Sequence, residues 1–160
     1  MSDDARQRLA HAQAQLLGAL VAGTDTPAGF DTERLAAAAA SLASKRARAV
    51  ARAWPRLVSA MGDEFAARFA SYARVHPLTQ AGPLADGRAF VDWLARAGLL
   101  SDEGRREAFA FDARYRVGKD GLAYRRGPLL RFLRLKEARR LIVVIRLPFV
   151  GERWLSAKMF

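Results

Sequence analysis

From Asp3 to about Val21 the apolar positions Leu9, Ala12, Leu16 and Leu20 recur at spacings of three and four, the period of one helical face. Asp3 or Asp4 is placed to cap that helix. Gly23 to Gly29 breaks the pattern with glycines and a proline, and Phe30 is expected to anchor this loop to the core. Asp31 or Thr32 caps a second helix, about Thr32 to Ala53. It puts Leu35, Leu42, Val50 and Trp54 on one face and Lys45, Arg48 and Arg52 on another. Arg46 projects into the apolar sector, so it either snorkels out or meets a carboxylate, because an unpaired buried guanidinium is costly. Trp54-Pro55 ends the helix, and Pro55 starts a short turn through Met61. Gly62 and Asp63 read as a C-cap followed by an N-cap. A helix from Asp63 to Arg74 then buries Phe65, Phe69 and Tyr72, and another from Ala85 to Ala97 buries Phe90, Trp93 and Leu94. Ser101 caps a last helix carrying Phe109 and Phe111, and Asp102-Glu103 complement its dipole.

After Asp112 the period changes from helical to alternating. Arg114-Tyr115-Arg116-Val117 alternates charged and apolar residues, Gly118 to Gly121 turns the chain, and Leu122 to Arg126 returns as a second strand. Gly127-Pro128 breaks this hairpin, and Leu129 to Leu135 fits a strand or a helix. Leu141-Ile142-Val143-Val144-Ile145 is then the most strand-like stretch of the chain, with four β-branched residues in an unbroken apolar run. Apolar residues at consecutive positions call for cover on both faces, so this is expected to be a central strand with Val143 in the core. Trp154, Leu155, Met159 and Phe160 make an apolar tail that must pack on its own domain or on a partner. The expected architecture is α+β: an N-terminal helical bundle over residues 1–111, then a small C-terminal antiparallel β-sheet over 112–160 packed on it, as one compact unit.

Charge changes this picture. The net charge is +11, distributed as −2 over residues 1–40, +5 over 41–75, −2 over 76–112 and +10 over 113–160. Two basic blocks of this kind favour an anionic partner. A GC-rich genome would raise arginine use by itself, an objection that the clustering survives better than the total charge does.

Candidate chemistry is sparse. There is no cysteine, which removes disulfides and thiolate sites, and His11 and His76 are the only histidines. His76, beside Pro77 and without a partner base or nucleophile in sequence, reads as a turn residue. No phosphate loop, dinucleotide fingerprint or nucleophile elbow is present. We therefore expect no enzyme, no cofactor and no metal site. No apolar run approaches the roughly 20 residues that span a bilayer, which leads us to expect a soluble cytoplasmic protein without a membrane partner. Recognition is left. An arginine-rich hairpin beside an apolar strand suits capture of an acidic, extended peptide by strand addition, with Arg114, Arg116, Arg125, Arg126, Arg139 and Arg140 contacting the peptide or a partner protein. The alternative is a nucleic-acid-binding regulator that uses Lys45, Arg48, Arg52 and Arg56.

Three stretches carry a family resemblance: Pro27 to Asp31, Lys45 to Pro55, and Arg126-Gly127-Pro128 with Arg140-Leu141 and Arg146-Leu147-Pro148. Together they resemble an actinobacterial accessory domain that is fused to, or encoded beside, multinuclear non-haem iron-dependent oxidative enzymes. The resemblance implies a companion in the modification of ribosomally made peptides. In that arrangement the enzyme carries the irons and oxidises a precursor, often at cysteine, while the companion binds the precursor's leader and the enzyme.

Overall fold

The computed structural model describes residues 3–22, 27, 29–78, 81–118, 121–135, 137–147 and 151–159. Six helices come first: α1 (Asp3–Ala22), α2 (Thr32–Ala53), α3 (Pro55–Met61), α4 (Glu64–Val75), α5 (Gly82–Arg96) and α6 (Asp102–Arg114). Five strands follow: β1 (Tyr115–Gly118), β2 (Gly121–Tyr124), β3 (Leu129–Leu135), β4 (Arg140–Leu147) and β5 (Gly151–Lys158). The α+β class expected from the sequence is what forms. The strands make two antiparallel sheets instead of one, a β1-β2 hairpin and a β3-β4-β5 meander with β4 in the middle.

The helix starts follow local chemistry. Asp31 accepts from the Glu33 and Arg34 amides at 2.9 and 3.2 Å, and Ser101 accepts from the Gly104 amide at 3.2 Å, each supplying an acceptor to otherwise orphaned donors. Asp63 does not cap α4 through its side chain. The N-terminus of α3 is closed from outside, by Glu107 of α6, whose carboxylate accepts from the Arg56 and Leu57 amides at 3.3 and 2.7 Å. Asp102 does more than meet a helix dipole. It is buried, and it accepts from the Glu137 and Ala138 amides at 2.9 and 3.0 Å, tying the β3–β4 turn to the start of α6.

Two apolar clusters hold the fold. The larger joins Trp54, Leu57, Phe69, Tyr72, Phe90 and Leu94 with Phe111, and each such side chain contributes about 1.5–3 kcal/mol by leaving water. Trp54 sits flat against Gly87, where an added Cβ would meet the indole at 2.1 Å, so a side chain there would expel the tryptophan. The indole N–H donates to the Leu84 carbonyl at 3.1 Å. The smaller cluster joins Phe109 and Ala113 of α6 to Leu135, Ile142 and Val144, and fastens one face of the meander to the helices.

Several expectations are corrected. Phe30 is exposed and does not anchor its loop to the core, and the expected break at 23–26 and 28 lies outside the described residues. Leu9 and Leu42 are also exposed: α1 and the first half of α2 lie outside the main cluster, and Ala19 is the buried residue among the described side chains of α1. Arg114 is the last residue of α6, not the first of a strand, so the helical part runs three residues past Phe111. The apolar tail is an eight-residue strand, β5. Most consequentially, β4 is covered on one face only. Val144 is fully buried, whereas Val143 is half-buried on a face that no other element packs against among the described residues.

Candidate functional site

The β5 strand pairs with β4 from Arg140↔Lys158 to Leu147↔Gly151, and no strand adjoins its other side among the described residues. Every second residue of such an edge leaves an amide and a carbonyl free to pair with an incoming chain. Beside this edge lies a cleft of about 600 Å³. Its helical wall comprises Trp54, Arg56, Arg106, Glu107, Phe111 and Arg114, and its sheet wall includes Trp154 and Ser156. Three arginines thus line it with Glu107, which caps α3, while Arg106 pairs with Glu103 at 3.0 Å and Arg114 with Glu152 at 3.3 Å.

The sheet wall is held by a charged network on the inner face of the meander. Arg146 shares the parity of Ile142 and Val144, so its side chain points at α6. It donates to the Arg125 carbonyl at 2.5 Å, the Ala113 carbonyl at 2.6 Å and Glu152 at 2.6 Å, and its guanidinium lies 5.7 Å from the Tyr124 ring centre. Glu152 also meets Arg114 at 3.3 Å and accepts from the Trp154 indole at 2.7 Å. Burial acts to raise the Glu152 pKa, but hydrogen bonds from Arg146 and Trp154 and the Arg114 charge outweigh it and hold the carboxyl below its ordinary range. Trp154 stands edge-on to Phe109 with ring centres 5.7 Å apart. One residue, Arg146, therefore joins α6, the hairpin and the meander.

The six arginines expected on one surface fall into three places. Arg116, Arg125 and Arg126 line a pocket of about 250 Å³ with Tyr124, Gly127 and Pro128, and no carboxylate lines it among the described residues. Arg125 is fixed there by donating from Nε to the Tyr115 carbonyl at 3.0 Å. Arg114 faces the cleft through Glu152. Arg139 and Arg140 sit at the β3–β4 turn, where Arg139 adopts φ 46°. At ~3.4 Å per residue this turn is about 20 Å along β4 from Arg146. In the alternative set, Lys45, Arg48 and Arg52 form an exposed stripe on α2, with Arg48 donating to Ser44 at 3.2 Å, but Arg56 belongs to α3 and lines the cleft.

One buried cluster of ionisable groups has structural work instead. Arg46 donates from Nε and Nη2 to Asp86 at 2.6 Å each, and from Nη1 to the His76 carbonyl at 2.7 Å. Tyr72 donates to the same carboxylate at 3.1 Å, with His76 stacked on its ring. Burial works against the Arg46 charge, yet Asp86 outweighs it and raises the pKa; burial and Asp86 together push the Tyr72 phenol up. The carboxylate demanded by Arg46 is thus present. Arg88 is similarly held by Asp112 at 2.7 and 3.0 Å and by Asp92 at 2.6 Å.

Sequence reasoning missed the β5 edge, Arg106, Glu107 and the Arg146–Glu152 pair. The parity of Ile142, Val144 and Arg146 was the available signal for the last of these. Nothing in the tail's order of residues announced a strand.

Fold and site together define a small α+β domain whose open-edged sheet borders a basic cleft. A family model described as SCO6045-like, C-terminal domain matches residues 10–96, more than half of the chain, and the chain belongs to that family. The match takes in α2 to α5 and most of α1, and the sheets lie beyond it. A UPF0276 protein of Streptomyces avermitilis is 48% identical over 106 residues, which are 66% of this chain and 22% of that protein. The chain therefore spans about a fifth of the length of the curated relative it matches. No solved structure matches.

Proposed function

We propose that this domain is a non-catalytic partner subunit that holds the leader of a precursor peptide for a multinuclear non-haem iron-dependent oxidative enzyme, in ribosomal peptide natural-product modification. The observation that carries the recognition part is the unpaired β5 edge running beside a cleft lined by Arg56, Arg106 and Arg114. An extended peptide adding to β5 would gain backbone hydrogen bonds. Its apolar side chains would meet Trp154, which is exposed, and its carboxylates would meet the arginines. The irons and the oxidative chemistry belong to the enzyme. The relative in which the matching segment is about a fifth of a longer protein supports a domain that works beside a larger body.

The second reading, nucleic-acid binding, has its own observation in the exposed Lys45, Arg48 and Arg52 stripe. Fluorescence anisotropy with the labelled precursor peptide and with duplex DNA, each over a salt series, separates the two. The partner reading expects peptide binding with a shallow salt dependence, weakened by Arg106→Glu. Duplex binding that falls with a log–log slope near −0.9 per phosphate contacted, without peptide binding, would overturn it.

A further inference from the structure

The bare face of the meander is as apolar as its buried face. Leu130 and Phe132 of β3 project from it, 59% and 61% exposed, beside half-buried Val143 and Ile145 of β4, with Leu147 and Leu155 at its margins. The register places these side chains directly across from one another: Leu130 opposite Ile145, and Phe132 opposite Val143, which is itself opposite Leu155. Arg134 and Arg153 share the face at opposite corners, and no carboxylate does. At ordinary strand spacing the patch measures roughly 10–14 Å by 20 Å, approaching the largest apolar patch of an ordinary monomer, which is often functional. β4 has the composition of a strand covered on both sides, and the described residues cover one.

We infer that this face docks the larger body beside which the domain works, through a folded protein surface that is apolar at its centre and carboxylate-rich at its rim. The inference rests on the partner-subunit reading and assigns the enzyme and the peptide to different faces of one sheet. Charge selects that chemistry. Arg134 and Arg153 stand exposed at two corners of the apolar centre, so a partner covering it meets positive charge at its edge. A second copy of this chain fits less well. It would bring +10 over residues 113–160 against the same charge, and two such faces would bury roughly 400–560 Å² at those dimensions, short of the ~1,200 Å² of a stable interface. An enzyme surface can reach past the patch over Arg134 and Arg153, adding area and opposite charge together.

The test is a double substitution, Leu130→Glu with Phe132→Glu, at positions that line neither the cleft nor β5. Full-length chain is titrated with the intact, iron-loaded enzyme and separately with the labelled precursor peptide, and cooperative urea unfolding verifies the fold. The expected result is enzyme binding weakened roughly 100-fold or more and peptide affinity unchanged within about twofold. Enzyme binding equal to wild type would overturn the docking assignment and leave the partner reading standing. A wild-type chain that binds no enzyme would overturn both. Sedimentation showing a wild-type dimer that the double variant dissolves would overturn the assignment in favour of self-association.

Discussion

The two faces of the meander are built from neighbouring residues of the same strands, yet they meet opposite surroundings. Inward, Ile142, Val144 and Leu135 pack on Phe109 and Ala113, and Arg146 is surrounded by acceptors. Outward, Val143, Ile145, Leu130 and Phe132 adjoin one another and neighbouring strand residues, and Leu130 and Phe132 stand exposed. A free-standing antiparallel sheet normally marks this difference by alternating apolar and polar residues. Here the alternation in burial has almost no counterpart in polarity. The inner face is thus a finished piece of core and the outer face an unfinished one, which is why the second points to a partner.

The largest effect should come from placing the same charge on either side. Val144→Asp buries a carboxylate without a partner and should cost about 5 kcal/mol or more, enough to abolish the fold. Val143→Asp places it on the open face and should cost about 1–2 kcal/mol, chiefly as poor strand propensity. Urea unfolding midpoints measure both, and equal losses would mean that the outer face is covered after all. Arginines give the next contrast. Arg146→Ala removes the donor shared by Ala113, Arg125 and Glu152 and should cost about 3 kcal/mol, whereas Arg153→Ala should stay within about 0.5 kcal/mol.

The smallest effect is in pH dependence. The folded Glu152 carboxyl lies below its ordinary value of 4.5, so between the two values the folded state holds fewer protons than the unfolded one. Its stabilisation is fully present above pH 4.5 and is lost as pH falls through the folded value. The melting temperature of Glu152→Gln should therefore lie below wild type at pH 7 and converge with it as pH falls through the folded value, below 4.5. A gap that widens in acid would contradict the Arg146–Glu152 pairing.

The sequence made the helices legible because their caps and aromatic spacing are local: Asp31, Ser101 and the Phe65–Phe69–Tyr72 edge all behave as their spacing indicated. Arg46 was legible too, since an arginine inside an apolar sector demands an acid, and Asp86 supplies it. β4 was read as central and is central. The rest depended on contacts distant in sequence. Glu107 caps α3 from about fifty residues away, and β5 exists because β4 templates a tail whose own residues carry no strand period. Arg114 was taken for a strand residue because alternation at Arg114 to Val117 begins at the helix end, where the two periods overlap. The site was correspondingly half visible. Arginine clustering indicated a basic surface, but only the fold divides those arginines among a cleft, a pocket and a turn.

The most direct measurement of the central claim, recognition of an extended peptide at the β5 edge, is amide hydrogen exchange on the full chain with and without saturating precursor peptide. The account predicts slowed exchange in residues 151–158, accompanied by slower exchange at the helical wall of the cleft around Arg106 and Phe111 and no change along the α2 stripe. Peptide binding that leaves 151–158 unprotected, or protection confined to Lys45, Arg48 and Arg52, would contradict it.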